Sequence, residues 1–93
     1  MSETQYVEAC EEEAPTFGAI PGLVSKIWLA DQATNTYGGV YVWRDCQAMQ
    51  SFVDSDLFRG IGADPHLRNL TSRGFAVLEA PTSVTRGLMS AQV

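Results

Sequence analysis

Lys26, Trp28, Tyr41 and Trp43 are the residues of this chain whose types and spacing best suit chemistry. They recur at every second position within two alternating segments, so in extended backbone they share one face of a hairpin. Three aromatic rings with one amine are unusual for a face that meets water. They suit a subunit interface, or an apolar pocket with a few polar groups. In a pocket, a flat aromatic ligand would stack on the rings, Lys26 would steady an anionic oxygen, and Tyr41 would donate a hydrogen bond to a substrate oxygen. In an interface the same side chains only fill space, because aromatics dominate interface energetics. His66, the only histidine, is the natural general base, since its unperturbed pKa lies near about 6.5. It follows Asp64-Pro65 in a loop, where the simpler reading is a solvated or capping histidine. Burial that lowered the Lys26 pKa would give it a role as a base as well. Arg73 and Asn35 are further polar candidates from neighbouring loops.

Other patterns close doors. Cys10 and Cys46 stand 36 residues apart with no Cys-x-x-Cys pair. With one histidine they fall short of the three or four nitrogen or sulfur ligands of a zinc site, so no metal is expected. Cys46 falls in the first turn of a predicted helix, where the dipole lowers a thiol pKa, but Asp45 opposes that effect. Both cysteines read as reduced and inert. Gly38-Gly39 lacks the spacing and following helix of a phosphate loop. It reads as a bulge or a close approach over a bulky neighbour. Asn69-Leu70-Thr71 fits a glycosylation pattern that has no meaning without secretion. Glu11–Glu13 reads as a solvated helix face.

These residues need a scaffold. Ser2 and Gln5 predict a capping box, followed by an apolar stripe of Tyr6, Cys10, Ala14 and Phe17 at helical spacing. Pro15 predicts a kink or an irregular last turn. After Ile20-Pro21-Gly22, a strand over 23–30 and a second over 37–43 are joined by a short polar loop as an antiparallel hairpin. Asp45 caps a second helix whose buried stripe is Met49, Phe52 and Val53. A short helical continuation through Leu57, Phe58 and Ile61 ends near Gly60 or Gly62. A final strand is predicted over 71–79. Beyond Pro81, residues 82–86 are open to an extended form, and 88–93 to an arm or a frayed end. Aliphatic Ile27, Leu29, Val40 and Val42 are expected beneath the helices, which turns the Lys26–Trp43 face away from them.

Ninety-three residues fit one domain, expected to span 1–93, of a size at which oligomerisation helps. The composition, 45% hydrophobic and 18% charged, is globular rather than disordered. A net charge of −5 argues against a nucleic-acid surface. No apolar run exceeds four residues, against roughly 20 for a membrane span. The start lacks the regions of a signal peptide, so the expected location is cytoplasmic. Residues 1–64 carry three basic and ten acidic residues, residues 65–93 three and one. Such an acidic front and basic tail can meet across a symmetric interface or within one subunit.

Helix-strand-strand-helix-strand is a ferredoxin-like unit without its first strand, an α+β fold whose antiparallel sheet carries helices on one face. Pro21-Gly22-Leu23, Lys26-Ile27-Trp28-Leu29 and Thr36-Tyr37-Gly38-Gly39-Val40-Tyr41-Val42-Trp43 resemble the YdhR mono-oxygenase family. The likeness continues through Ala48-Met49, Phe52 and Ser55-Asp56-Leu57-Phe58 to Leu78-Glu79, over about residues 14–87. The resemblance implies a dimeric α/β barrel in which two ferredoxin-like sheets face one another. It also implies kinship with small oxygenases that oxidise polycyclic aromatic or quinol-like compounds without metal, flavin or haem. The leading expectation is a cofactor-independent mono-oxygenase, a homodimer acting on a small aromatic or quinol-type compound. The alternative is a non-catalytic dimeric module that holds a hydrophobic metabolite. Haem degradation fits less well, because the strand that would bear its polar pocket residue is absent. In the family the chain usually begins with a hydrophobic strand; here it begins at the helix. That strand is central in ferredoxin-like order, and without it two strand edges are open.

Overall fold

Ser2 starts the first helix as its sequence predicts. Its hydroxyl accepts from the Gln5 amide at 3.1 Å, and the Gln5 side chain accepts from the Ser2 amide at 2.9 Å. Two orphan donors are thereby satisfied by one reciprocal pair. The computed structural model describes residues 2–63 and 69–87. Its elements are α1 (Glu3–Gly18), β1 (Leu23–Asp31), β2 (Thr36–Trp43), α2 (Cys46–Val53), α3 (Asp56–Ala63) and α4 (Glu79–Val84). α1 runs through Pro15 to Gly18.

The hairpin pairs β1 antiparallel to β2, with Lys26 opposite Tyr41, Ile27 opposite Val40 and Trp28 opposite Gly39. The loop closes through Asn35 in the left-handed region at φ 53°, which asparagine tolerates better than most residues. A register irregularity falls between Leu23 and Ser25. Gly22 takes φ +84°, and a Cβ there would lie 2.5 Å from that of Ala48, so only glycine lets the chain enter β1 this close to α2. The Arg44 amide donates to the Gly22 carbonyl at 2.7 Å, tying the two ends of the hairpin together.

Asp45 caps α2, accepting from the Ala48 amide at 2.8 Å. This bond, with help from Arg44, holds its carboxyl below the usual carboxylate range. Ser55 separates α2 from α3: its hydroxyl donates to the Phe52 carbonyl and accepts from the Phe58 amide. The core is Phe17, Ala48 and Phe52. The fold is therefore α+β, a two-stranded antiparallel sheet with helices on one face.

Two expectations are corrected. The first is the face of the hairpin. Lys26, Trp28, Tyr41 and Trp43 lie beneath the chain's own helices, with Phe17 against Trp28 and Phe52 against Tyr41 and Trp43. Ile27, Leu29 and Val40 occupy the other face, 57%, 45% and 47% exposed. The aromatic side offers more area to bury, and rings on the helices meet rings on the sheet. A chamber formed by two copies joining their aromatic faces is thus ruled out by this packing. The second correction is the final strand. Residues 70–78 are irregular and outside the sheet, and Phe75, Val77 and Leu78 are exposed. In the expected order their neighbour is a strand lying between them and β2; among the described residues no strand pairs with this segment, so no ladder fixes it as one. It leads directly into α4, so residues 79–84 are helical rather than extended. The expectation for 88–93 lies outside the described residues.

Candidate functional site

The hairpin alternation that sorts side chains by face also brings Lys26 beside its aromatic neighbours. Its Nζ lies 3.4 Å from the centroid of Trp28, 3.6 Å from Phe17 and 4.7 Å from Tyr41. Two of these rings come from the sheet and the third from α1. Gly39 leaves room for the arrangement: a Cβ there would stand 3.0 Å from the Lys26 Cε and 3.2 Å from the Ile27 carbonyl. The close approach expected at Gly38-Gly39 belongs to Gly39 alone, since a Cβ on Gly38 would meet nothing within 4 Å.

The rings form a continuous wall. Phe17 meets Trp28 edge-on at 5.3 Å. Tyr41 and Trp43 lie parallel at 5.9 Å, and Phe52 sits 5.3 Å from Tyr41 and 5.2 Å from Trp43. Phe58 closes the far side against Phe52 at 5.3 Å. A cleft of about 190 Å³ opens between α1 and the start of β1, lined by Ala14, Phe17, Gly18, Leu23, Lys26 and Trp28 among others. A larger hollow of about 580 Å³ lies between Pro21 and α2, beside Arg44, Gln47 and Ser51. It contains none of the four sheet residues and no titratable group with a raised or lowered pKa except Asp45, so the smaller cleft is the chemical candidate.

Burial shifts the groups around the amine. It lowers the Lys26 pKa to about 8, against a smaller opposing pull from Cys10 and Glu13. It raises the Tyr41 hydroxyl, and Glu13 adds to that rise. Tyr6 is raised as well, by burial first and then by the neighbouring Cys10 thiol; its ring lies 4.2 Å from that of Tyr37. Among the described residues the ion pairs are Arg44–Asp45 and Arg59–Asp56, and neither involves Lys26. The site therefore offers an amine that loses its proton near pH 8, a phenol that keeps its own, and a wall of rings. An oxyanion can be met by either donor.

The four sheet residues named from the sequence come together, although on the opposite side of the sheet from that expected. His66 lies outside the described residues. Asn35 is in the hairpin turn, and Arg73 lies over Phe75 at 5.2 Å on the exposed irregular segment; neither is among the residues around Lys26. Cys46 is exposed at the start of α2. Sequence reasoning missed Phe17 and Glu13 as neighbours of the amine, and Cys10, which it set aside as inert. The signal was present in the α1 stripe, which carries a phenol and a thiol among its apolar residues and so had to place them against the sheet. Among the described residues no three His, Cys, Asp or Glu side chains form a metal-binding group, and no helix is long and apolar enough to cross a membrane.

No curated protein and no solved structure matches the chain. The family model described as "Putative mono-oxygenase ydhR" matches residues 1–88, nearly the whole length and all of the hairpin that carries the site. On that match the chain belongs to the ydhR mono-oxygenase family.

Proposed function

We propose that this chain oxidises a small aromatic or quinol-type compound with O₂, without metal, flavin or haem, and that each subunit holds its own site between α1 and the sheet. The observation that carries the reading is the Lys26 amine among Phe17, Trp28 and Tyr41 at the edge of a cleft. Family membership supplies the reaction class; the side chains supply the means. A phenol or hydroquinone yields an electron to O₂ readily only as its anion. The site must therefore take a proton, hold the anion and exclude water. Lys26, deprotonated near pH 8, takes the proton. As an ammonium it then faces the new oxyanion, while Tyr41 stays protonated and donates a hydrogen bond. The rings stack on the substrate and keep the site dry. When the ring carbon para to the phenol oxygen (a CH₂ in the keto tautomer of the same anion) becomes C=O, the substrate gives four electrons to O₂; one oxygen atom enters the product and the other leaves as water with the two hydrogens lost.

The partner is a second copy of this chain, and its contact surface is the aliphatic face of Ile27, Leu29 and Val40 rather than the aromatic one. Exposure of three large aliphatic residues on one sheet face supports that choice. A cytoplasmic location accords with the two reduced cysteines.

The test is O₂ uptake by the purified protein with a panel of small phenols, hydroquinones and related ring ketones, with and without chelator. Chelator-resistant uptake that disappears in Lys26→Met supports oxygenation. Tight binding without uptake points instead to the non-catalytic module, and uptake unaffected by Lys26→Met removes the amine from the mechanism.

A further inference from the structure

Lys26 is the only lysine in the chain; the other five basic side chains are arginines. A lone lysine among arginines is expected on the surface, where its flexible stem and hydrated head cost nothing. Here it is half-buried against three rings, with no carboxylate paired to it among the described residues. Arginine would hold its charge in such a place, whereas lysine can give it up and become a nucleophile. Lys26 also lines the cleft between α1 and β1, whose other walls include Ala14, Phe17, Gly18 and Trp28. A small aromatic molecule entering there meets the side chains of Phe17, Trp28 and Lys26.

We propose that Lys26 forms an imine with small aromatic aldehydes that enter this cleft. The unprotonated Nζ attacks the carbonyl carbon, a proton passes from nitrogen to oxygen, and the carbinolamine loses water as the C=N bond forms. No oxidant or reductant is consumed. The reaction rests on the amine and the cleft, and does not depend on oxygen chemistry. Among the described residues the titratable groups facing the amine are Cys10 and Glu13 of α1 and Tyr41 of β2. The first two favour the ammonium, but burial outweighs them and brings the pKa to about 8. At neutral pH the folded chain thus carries far more free amine at this position than a solvated lysine does.

The test is reductive trapping. Benzaldehyde or 2-hydroxybenzaldehyde is added with cyanoborohydride at pH 7.5 to the folded protein and, separately, to protein unfolded in urea. Hydride delivered to the imine carbon fixes the adduct as a secondary amine, which peptide mass spectrometry assigns to Lys26 or to the terminal amine. The terminal amine serves as the internal reference. Labelling of Lys26, normalised to that reference, is expected to be at least about tenfold faster in the folded protein. Its rate should titrate with a midpoint near pH 8 and vanish in Lys26→Arg while terminal labelling persists. Equal rates in folded and unfolded protein, a midpoint at the ordinary lysine value, or label confined to the terminus overturns the proposal. The urea comparison stands even if Lys26→Arg does not fold. Trapping without O₂ uptake retains the imine and removes the oxygenase; uptake without trapping does the reverse.

Discussion

The Lys26 Nζ lies 3.4 Å from the centroid of Trp28, two residues further along the same strand. Both side chains point beneath the chain's own helices, so the amine has lost part of its water. Folding then weakens its hold on a proton: the pKa is about 8 in the folded chain against 10.5 for the free side chain. Between these values the unfolded chain binds more protons, so stability rises with pH; below about 8 the penalty is present in full. Tyr41 acts with the opposite sign. Its hydroxyl is raised above 10.0, so at higher pH the unfolded chain deprotonates first and stability falls. Urea midpoints should climb from pH 8 to about 10 and then decline. Lys26→Met should abolish the climb and raise the midpoint at pH 7. A flat wild-type profile would remove the burial argument.

Gly39 and Gly38 are neighbours on opposite faces, and they should respond differently to the same substitution. A methyl group at position 39 would crowd the Lys26 Cε at 3.0 Å and the Ile27 carbonyl at 3.2 Å; at position 38 it would meet nothing within 4 Å. Gly39→Ala should cost about 1 kcal/mol and move the Lys26 pKa upward as the amine swings toward water. Gly38→Ala should be neutral, or stabilise by about 0.5 kcal/mol through a smaller loss of backbone freedom. Denaturation curves and an NMR titration of the single lysine measure both effects.

Phe52 is 5% exposed and touches the rings of Tyr41, Trp43, Phe17 and Phe58. Phe52→Ala should cost about 3–5 kcal/mol, comparable to the whole stability of a small domain, and so leave the chain unfolded at room temperature. Phe52→Leu should cost less than half as much. Val84→Ala, at a residue 77% exposed, should stay within about 0.5 kcal/mol. Circular dichroism during urea titration separates the three.

The hairpin was legible because alternation is a strong local signal, and its observed ends lie one residue beyond those expected at Asp31 and Thr36. The caps at Ser2 and Asp45 were legible for the same reason: each is a short-range hydrogen bond between residues three apart. Alternation also grouped Lys26, Trp28, Tyr41 and Trp43 correctly. It could not say which face turns inward, because that depends on Phe17 and Phe52, which are distant in sequence from parts of the sheet they cover. The segment around Phe75 and Val77 alternates as well as β2 does, yet a strand exists only where another backbone accepts its hydrogen bonds. Nothing local in residues 71–79 reports whether that partner is present.

Ile27 stands opposite Val40 on the exposed aliphatic face. If two copies join there, Ile27→Glu places two carboxylates in an apolar contact and should convert a dimer to a monomer while leaving the fold intact. Sedimentation equilibrium on both proteins reads this directly. A monomeric wild type, or a variant that stays dimeric, would show that the aliphatic face is not the contact.

In the proposed site, one subunit alone holds the substrate, between α1 and its own sheet. A crystal structure with a bound small phenol or hydroquinone tests it most directly. The ligand ring is expected against Phe17 and Trp28, with its oxygen in hydrogen-bond reach of the Lys26 Nζ. A ligand lodged instead between two copies, on Ile27, Leu29 and Val40, would contradict it.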